Sequence, residues 1–260
     1  MARRRLDTVL AERGLAPTRS AAANSIRAGL VRIGTGGERA GKPGQMVEED
    51  LEVEVEVGRV YVSRGGLKLE AALDRLEIEV TGRRCMDIGA STGGFSDCLL
   101  RRGAEAVIAV DVGRGQLDWG LRNDPRVNVM EGINARDLKP GDLPFEPQLV
   151  TIDVSFISLA KVLAPLPALL APGAEILGMV KPQFELGRAR VGRGGVVRDP
   201  GDRLDAVMEA AAAADELGLT VSGVAAAGLP GPKGNQEIFL KLGSGTPLAD
   251  LEELAAEEAR

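Results

Sequence analysis

Histidine does not occur anywhere in these 260 residues. Its absence excludes imidazole general bases, Ser-His-Asp triads and Cys-His dyads. Any proton transfer must use Lys, Asp, Glu, Tyr or a thiol. Cysteine is nearly absent too: Cys85 and Cys98 are the two thiols. Without histidine they cannot form an ordinary zinc site, so no metal is expected. They read as small buried hydrophobes in a reducing cytosol. Long apolar runs are also missing. The longest weakly charged run, Val154 to Ala174, holds Lys161 and prolines at 165, 167 and 172. It reads as a strand end, a helix and a turn, not as a membrane span. Arg3, Arg4 and Arg5 lead into an amphipathic charged stretch rather than the apolar core of a signal peptide. The expectation is a cytoplasmic protein.

Hydrophobic residues make up 44% of the chain and charged residues 27%, the balance of a globular protein. The length suits one α/β domain plus a small module. The formal net charge is −6, yet residues 1–45 carry nine Lys/Arg and three acids. That segment is therefore +6 and the remainder −12. A basic module on an acidic body points to nucleic acid at one end.

Apolar spacing predicts a helix over Leu6–Arg13, stopped by Gly14, and another over Ala21–Ala28, capped by Thr18 or Ser20. Leu30–Ile33 and the strictly alternating Leu51–Val57 read as strands. The module is placed at 1–58, a linker at 59–66, the main domain at 67–245 and an acidic tail at 246–260. Beyond a helix over Leu67–Leu76, strands and helices alternate. Strands are expected near 84–88, 106–110, 127–130, 148–153 and 174–180, and helices near 94–103, 114–122, 157–169 and 202–217. Strands near 219–226 and 235–242 follow each other without a helix and should pair antiparallel. The pattern is that of an α/β, Rossmann-like doubly wound sheet. The Ala/Glu-rich segment Asp250–Arg260 reads as a solvated helix or a frayed end.

The segment Cys85-Met86-Asp87-Ile88-Gly89-Ala90-Ser91-Thr92-Gly93-Gly94-Phe95 reads as a strand, a glycine-rich turn and a helix start. Such a turn lets a ligand approach the backbone and offers free N–H groups. Asp111 ends the next apolar run, 22 residues after Gly89. A carboxylate there accepts ribose hydroxyls. The spacing Gly89-x-x-x-Gly93-Gly94 is neither the dinucleotide G-x-G-x-x-G nor a P-loop. An acid at Asp87 repels a pyrophosphate and attracts a sulfonium. Together these favour S-adenosylmethionine, held by Gly89, Ala90, Ser91, Gly93 and Gly94, with Asp111 on the ribose. Asn134 and Asp137, after the third strand, are candidates near the adenine. The alternative is a βα turn whose glycines serve only the bend.

Two charged residues directly follow buried strands. Asp153 follows Leu149–Ile152, and Lys181 follows Ile176–Val180. Strand ends of this kind face the ligand crevice. Glu237 sits in the last expected strand, and Lys68 in the helix before the first. In order and context, Lys68, Asp153, Lys181 and Glu237 resemble the Lys-Asp-Lys-Glu tetrad of FtsJ-like ribose 2′-O-methyltransferases. The surrounding words are narrower: Val62-Ser-Arg64-Gly-Gly-x-Lys68-Leu69, Asp87-x-Gly-Ala-Ser-Thr-Gly-Gly-Phe95, Leu121-Arg-Asn-Asp-Pro-Arg-Val127, Asp153-x-Ser-Phe-Ile-Ser-Leu159, Val180-Lys-Pro-Gln-Phe-Glu185, Gly194-Gly-Val-Val-Arg-Asp-Pro200 and Leu229-Pro-Gly-Pro-x-Gly-Asn235. These are similar to the TlyA family, across nearly the whole chain.

The resemblance implies a class I S-adenosylmethionine-dependent methyltransferase sheet acting on cytidine ribose in ribosomal RNA. Asp87, Phe95 and Val112 are also candidate cofactor residues. Lys181 would be the base or orienting group, Asp153 would hold it, and Lys68 and Glu237 would orient the ribose. The alternative is a buried salt-bridge network that only fixes the sheet edge. The first fifth of the chain resembles the alpha-L RNA-binding fold. It does so in Arg5-Leu6-Asp7, Arg13-Gly14-Leu15, Thr18-Arg19-Ser20-Ala21 and Ile26-Arg27-Ala28-Gly29-Leu30-Val31. Candidate RNA contacts are Arg5, Arg19, Arg27, Arg32 and Arg64, with Arg188 and Arg193 in the loop Glu185–Asp199. The competing view of these arginines is ordinary solvated surface. The rival functions are a small-molecule O-methyltransferase, a membrane-active protein of the kind the family's older name, hemolysin, suggests, and an inactive RNA-binding protein.

Overall fold

The computed structural model describes residues 3–16, 18–27, 29–55, 61–192, 194–231 and 233–260, without the side chains of Asn24 and Arg188. The chain divides into two compact units, Met1–Gly65 and Gly66–Arg260.

In the first unit, β1 (Arg3–Arg5) runs straight into α1 (Leu6–Glu12), and α2 spans Arg19–Arg27. Of the two caps expected for α2, Thr18 serves: its hydroxyl accepts from Ala21 N at 3.1 Å. The short strands β2 (Val31–Ile33), β3 (Glu38–Arg39), β4 (Met46–Glu48) and β5 (Val53–Val55) follow. They form a β1–β4 pair and a β3-β2-β5 sheet, all antiparallel. Leu6, Val9, Leu10, Ile26, Val31 and Val47 bury the apolar faces of both helices and strands in one small core. β1, β3 and β4 show no alternation long enough to mark them in the sequence.

The second unit opens with α3 (Gly65–Arg75), then β6 (Arg84–Ile88), α4 (Gly94–Arg101), β7 (Ala106–Asp111), α5 (Trp119–Arg122) and β8 (Val127–Glu131). A 3-10 turn at Ala135–Asp137 leads to β9 (Leu149–Ile152), α6 (Leu159–Leu163) and β10 (Glu175–Val180). Then come α7 (Pro182–Glu185), α8 (Pro200–Glu216), β11 (Thr220–Ala226), β12 (Ile238–Gly243) and α9 (Leu251–Glu258). Among the described residues the sheet has seven strands in the order β11-β12-β10-β9-β6-β7-β8. β12 is antiparallel to both neighbours, as expected for the closing pair, and the other pairings are parallel. Alternate strand residues face opposite sides. Met86, Ile88, Ile108, Val110, Val150 and Ile152 pack with α6, α8 and α9. On the other side α4 lies against β6 and β7.

Two expectations need correction, and a third has two alternatives of which one holds. The helix expected at 114–122 is only Trp119–Arg122, because Gly115 turns the chain at φ +69°. The helix expected at 157–169 stops at Leu163 and resumes as a 3-10 turn at Leu166–Ala168, where Pro165 and Pro167 lack the N–H groups a longer helix needs. Of the two readings of Asp250–Arg260, a solvated helix or a frayed end, the helix holds. The segment folds as α9 against β11 and α8, with Ala255 and Ala259 fully buried. Arg203 of α8 pins it, donating to the carbonyls of Ala259 at 2.6 Å and Arg260 at 3.1 Å.

Candidate active site

Strand order reverses at β6: the chain proceeds to β7 and β8 on one side, and β9 and β10 lie on the other. Ligands of open α/β sheets sit in the crevice at such a switch point, beyond the strand C-termini. The register brings the candidate residues to that edge. Ile88 pairs with both Val110 and Ile152, so Gly89 lies level with Asp111 and Asp153. Val180 pairs antiparallel with Ile238, so Lys181 and Glu237 are opposed one step beyond. Glu237 thus precedes β12 rather than lying inside it.

The four charges form two ion pairs. Lys68 Nζ meets Glu237 Oε2, with both side chains almost wholly buried. Lys181 Nζ meets Asp153 Oδ1 and also donates to Ser155 Oγ at 3.3 Å. Lys181 is 10% exposed and Asp153 26%, so this pair keeps a route to the crevice. The Lys181–Asp153 contact is an ion pair off hydrogen-bond geometry, which leaves Asp153 Oδ1 without a hydrogen-bond donor.

The glycine-rich turn packs tightly. Gly89 has φ +85°, and a Cβ there would strike the carbonyl oxygen of Asp153. Gly93 has φ +94°, and a Cβ there would strike the side chains of Leu121 and Leu117. Glycine meets both demands at once. Ser91 also takes a left-handed backbone, φ +48°, and its N–H donates to Asp111 Oδ2 at 2.8 Å. Gly113 N donates to the other oxygen at 2.6 Å. These donors fix the Asp111 carboxylate while leaving each oxygen a lone pair for a further donor. Val112 beside it is 70% exposed. A fixed carboxylate, a bare backbone turn and an exposed apolar side chain fit the sugar and base of an adenosine-bearing ligand.

Asp87 sits beneath the turn rather than on its surface. It is fully buried and accepts from Ser96 Oγ at 2.7 Å and Ser96 N at 2.9 Å. Burial pushes its carboxyl up to about 7, against the Ser96 bonds, with Asp153 adding repulsion. Phe95 points inward, its ring centroid 6.0 Å from that of Phe239. Ala90 and Gly94 are buried in the turn, the latter as the first residue of α4. Asn134 caps the 3-10 turn, accepting from Arg136 N at 3.2 Å, and Asp137 is exposed at its end.

Of the arginines, Arg5 and Arg19 converge on Asp7, at 2.7 and 3.4 Å. They hold its carboxyl at about 2, the Arg5 bond being the larger cause. Arg27 is exposed at the end of α2, and Arg32 in β2 donates to Gly37 O at 3.4 Å. Arg64 is half-buried just before α3. Arg188 opens a 3-10 turn, and Arg193 lies outside the described residues. Ser155, Phe156 and Glu185 fall inside the motif words quoted from the sequence, but sequence reasoning gives them no role. Phe156 is 91% exposed at φ +66°, its ring 5.1 Å from that of Phe184. No local pattern marks a side chain that works through a loop contact.

Residues 61–244 match the FtsJ-like methyltransferase family, and residues 4–53 match the S4 domain. The chain is 51% identical over 252 residues to the 16S/23S rRNA (cytidine-2′-O)-methyltransferase TlyA of Mycobacterium tuberculosis, covering 96% of this chain and 93% of that protein. It is 41% identical over 197 residues to Hemolysin A of Brachyspira hyodysenteriae, covering 75% of this chain and 81% of that one. A solved structure of a hemolysin-named protein from Streptococcus thermophilus superposes with a TM-score of 0.76 at 39% identity, covering 99% and 96% of the two chains.

Proposed function

Because this chain belongs to the TlyA family of FtsJ-like methyltransferases, we propose that it methylates the 2′-hydroxyl of cytidine ribose in ribosomal RNA, using S-adenosylmethionine. The observation that carries the reading is the alignment of Lys181–Asp153 and Lys68–Glu237 at the sheet edge that also holds the glycine-rich turn. Charges brought this close to a core are costly unless the site uses them.

When bound, S-adenosylmethionine supplies an electrophilic methyl group on a sulfonium. Asp111 takes the ribose hydroxyls of that ligand. The turn from Gly89 to Gly94 would hold its methionine and sugar portions, and Val112 would lie against its base, with Asn134 and Asp137 as further candidates near the adenine. Asp87 and Phe95 hold the turn from below. Lys181 would act as the base or orienting group for the 2′-hydroxyl, whose proton leaves as the methyl carbon passes from sulfur to that oxygen. Asp153 would hold Lys181 in place as its ion-pair partner. Lys68 and Glu237, locked to each other, orient the acceptor ribose. The first unit binds structured RNA through Arg5, Arg19, Arg27 and Arg32, with Arg64, Arg188 and Arg193 adding contacts from the second half of the linker and the loop after α7. On this reading the protein acts in the cytoplasm, on ribosomal RNA in ribosomal subunits.

The test is to incubate separate small and large ribosomal subunits with methyl-labelled cofactor and map the 2′-O-methyl sites. Label on a cytidine ribose of either subunit is expected. No label on either, together with leakage of liposomes by the purified protein, would instead favour a membrane-active role. Among the described residues no helix is long and apolar enough to cross a membrane.

A further inference from the structure

Helix α6 begins without a side-chain cap from its own N-cap residue, Ser158. Its first amide, Leu159 N, donates instead to Glu185 Oε1 at 2.8 Å. The first amides of a helix have no partner inside it, so this carboxyl group is a cap supplied from elsewhere in the fold. Glu185 is the last residue of α7, whose first residue follows Lys181 directly.

The bond therefore closes a bracket between two segments that both leave the sheet edge. At one end Lys181 meets Asp153 and Ser155. In the middle the Phe184 ring lies 5.1 Å from that of Phe156. At the far end Glu185 holds Leu159. The segment being held includes Phe156 in the left-handed region at φ +66°, a conformation that persists only where its surroundings impose it. Leu159 itself lies over β10, where a Cβ on Gly178 would come within 2.9 Å of its side chain.

We infer that Glu185 is a positioning residue for methyl transfer, holding the Asp153–Ser158 loop where Asp153 and Ser155 meet Lys181. The inference rests on the role of Lys181 proposed above. Among the described residues no cation pairs with the carboxyl. Arg190, the nearby base, reaches Asp202, Asp205 and Glu209 of α8. Burial pushes the Glu185 carboxyl up to about 7, opposed by the Leu159 amide and reinforced by Glu209. A carboxyl kept under that penalty, its hydrogen bond among the described residues going to one helix amide, is there for the cap. Glutamine preserves the accepting oxygen and removes the charge.

The experiment compares the full-length protein with Glu185→Gln and Glu185→Ala in two readouts. These are amide hydrogen exchange across 153–163 and steady-state kinetics on ribosomal subunits. In Glu185→Ala, exchange within 153–159 should rise about 10-fold or more while β6 and β7 stay protected. Its kcat should fall about 10–100-fold, with the KM for S-adenosylmethionine changing less than about two-fold. Glu185→Gln should stay within about three-fold of the parent in both readouts. Three results would overturn the inference: unchanged exchange in Glu185→Ala, an equal loss of turnover in Glu185→Gln, or loss of protection across the whole sheet. If the parent protein itself labels no RNA, the ribose reading fails. The exchange comparison would still decide the bracket, since it needs no turnover.

Discussion

A side chain at Gly89 would collide with the backbone carbonyl oxygen of Asp153. The glycine-rich turn and the loop that carries the Lys181 partner are thus packed backbone to backbone across β6 and β9. Backbone cannot swing aside as a side-chain tip does. Gly89 also holds φ +85°, which an L side chain resists. Gly89→Ala should therefore cost roughly 2–4 kcal/mol of stability and disturb both halves of the site together. Thermal unfolding and calorimetric titration with S-adenosylmethionine check this. Parental affinity in a folded Gly89→Ala protein would contradict it.

Lys68 and Glu237 test whether the buried pair is structural or functional. They lie 169 residues apart and meet with both side chains nearly inaccessible. Removing one partner strands a buried charge and should cost about 3–5 kcal/mol. The double replacement Lys68→Met with Glu237→Leu should recover most of that stability, because an apolar pair needs no desolvation. It should not recover methyl transfer. A double variant that is both stable and active would reduce the pair to a fastening of the sheet edge.

Lys181→Ala should lose about 10²–10⁴-fold in turnover, the range expected for a positioned proton acceptor. Affinity for S-adenosylmethionine should hold, because Gly89, Ser91 and Asp111 do not depend on Lys181 for their hydrogen bonds. A labelled-methyl assay and a binding titration separate these quantities. Near-parental turnover would remove Lys181 from the mechanism.

The parts of this site legible in the sequence are those where local order decides position. Apolar runs closed by a charge marked where β9 and β10 end, and so placed Asp153 and Lys181 on one edge. The glycines of 89–94 announced a bare turn because little else suits that backbone. What stayed hidden depends on distance or on the bland character of the residues. Nothing near Lys68 signals Glu237, and the resemblance to known methyltransferases supplied that grouping. Acidity made Asp250–Arg260 look solvated, whereas small Ala255 and Ala259 let α9 settle on β11 and α8. The cap from Glu185 to Leu159 joins residues from two short helices that follow different strands, which no periodicity reports.

Asp7 in the first unit, and Asp87 with Glu185 in the second, should contribute to the pH response with opposite sign. In the first, Arg5 and then Arg19 lower the Asp7 carboxyl to about 2, below its usual 3.8. The folded unit then binds fewer protons than the unfolded chain, so this stability is full above pH ~4 and is lost as pH falls toward ~2. In the second, burial raises Asp87 and Glu185 to about 7. The folded state there holds protons that the unfolded chain has released, so stability falls as pH rises from ~4 to ~7. Each group contributes at most about 1.4 kcal/mol per pH unit in that window. Asp87→Asn keeps an oxygen that can accept from Ser96 and should flatten the neutral-side slope, leaving the acid limb of the first unit unchanged. Asp7→Asn should do the reverse. Hydrogen exchange followed peptide by peptide from pH 3 to 8, corrected for intrinsic rates, resolves the two units in one protein. A single slope shared by peptides of both units would show that these carboxyl groups do not govern the response.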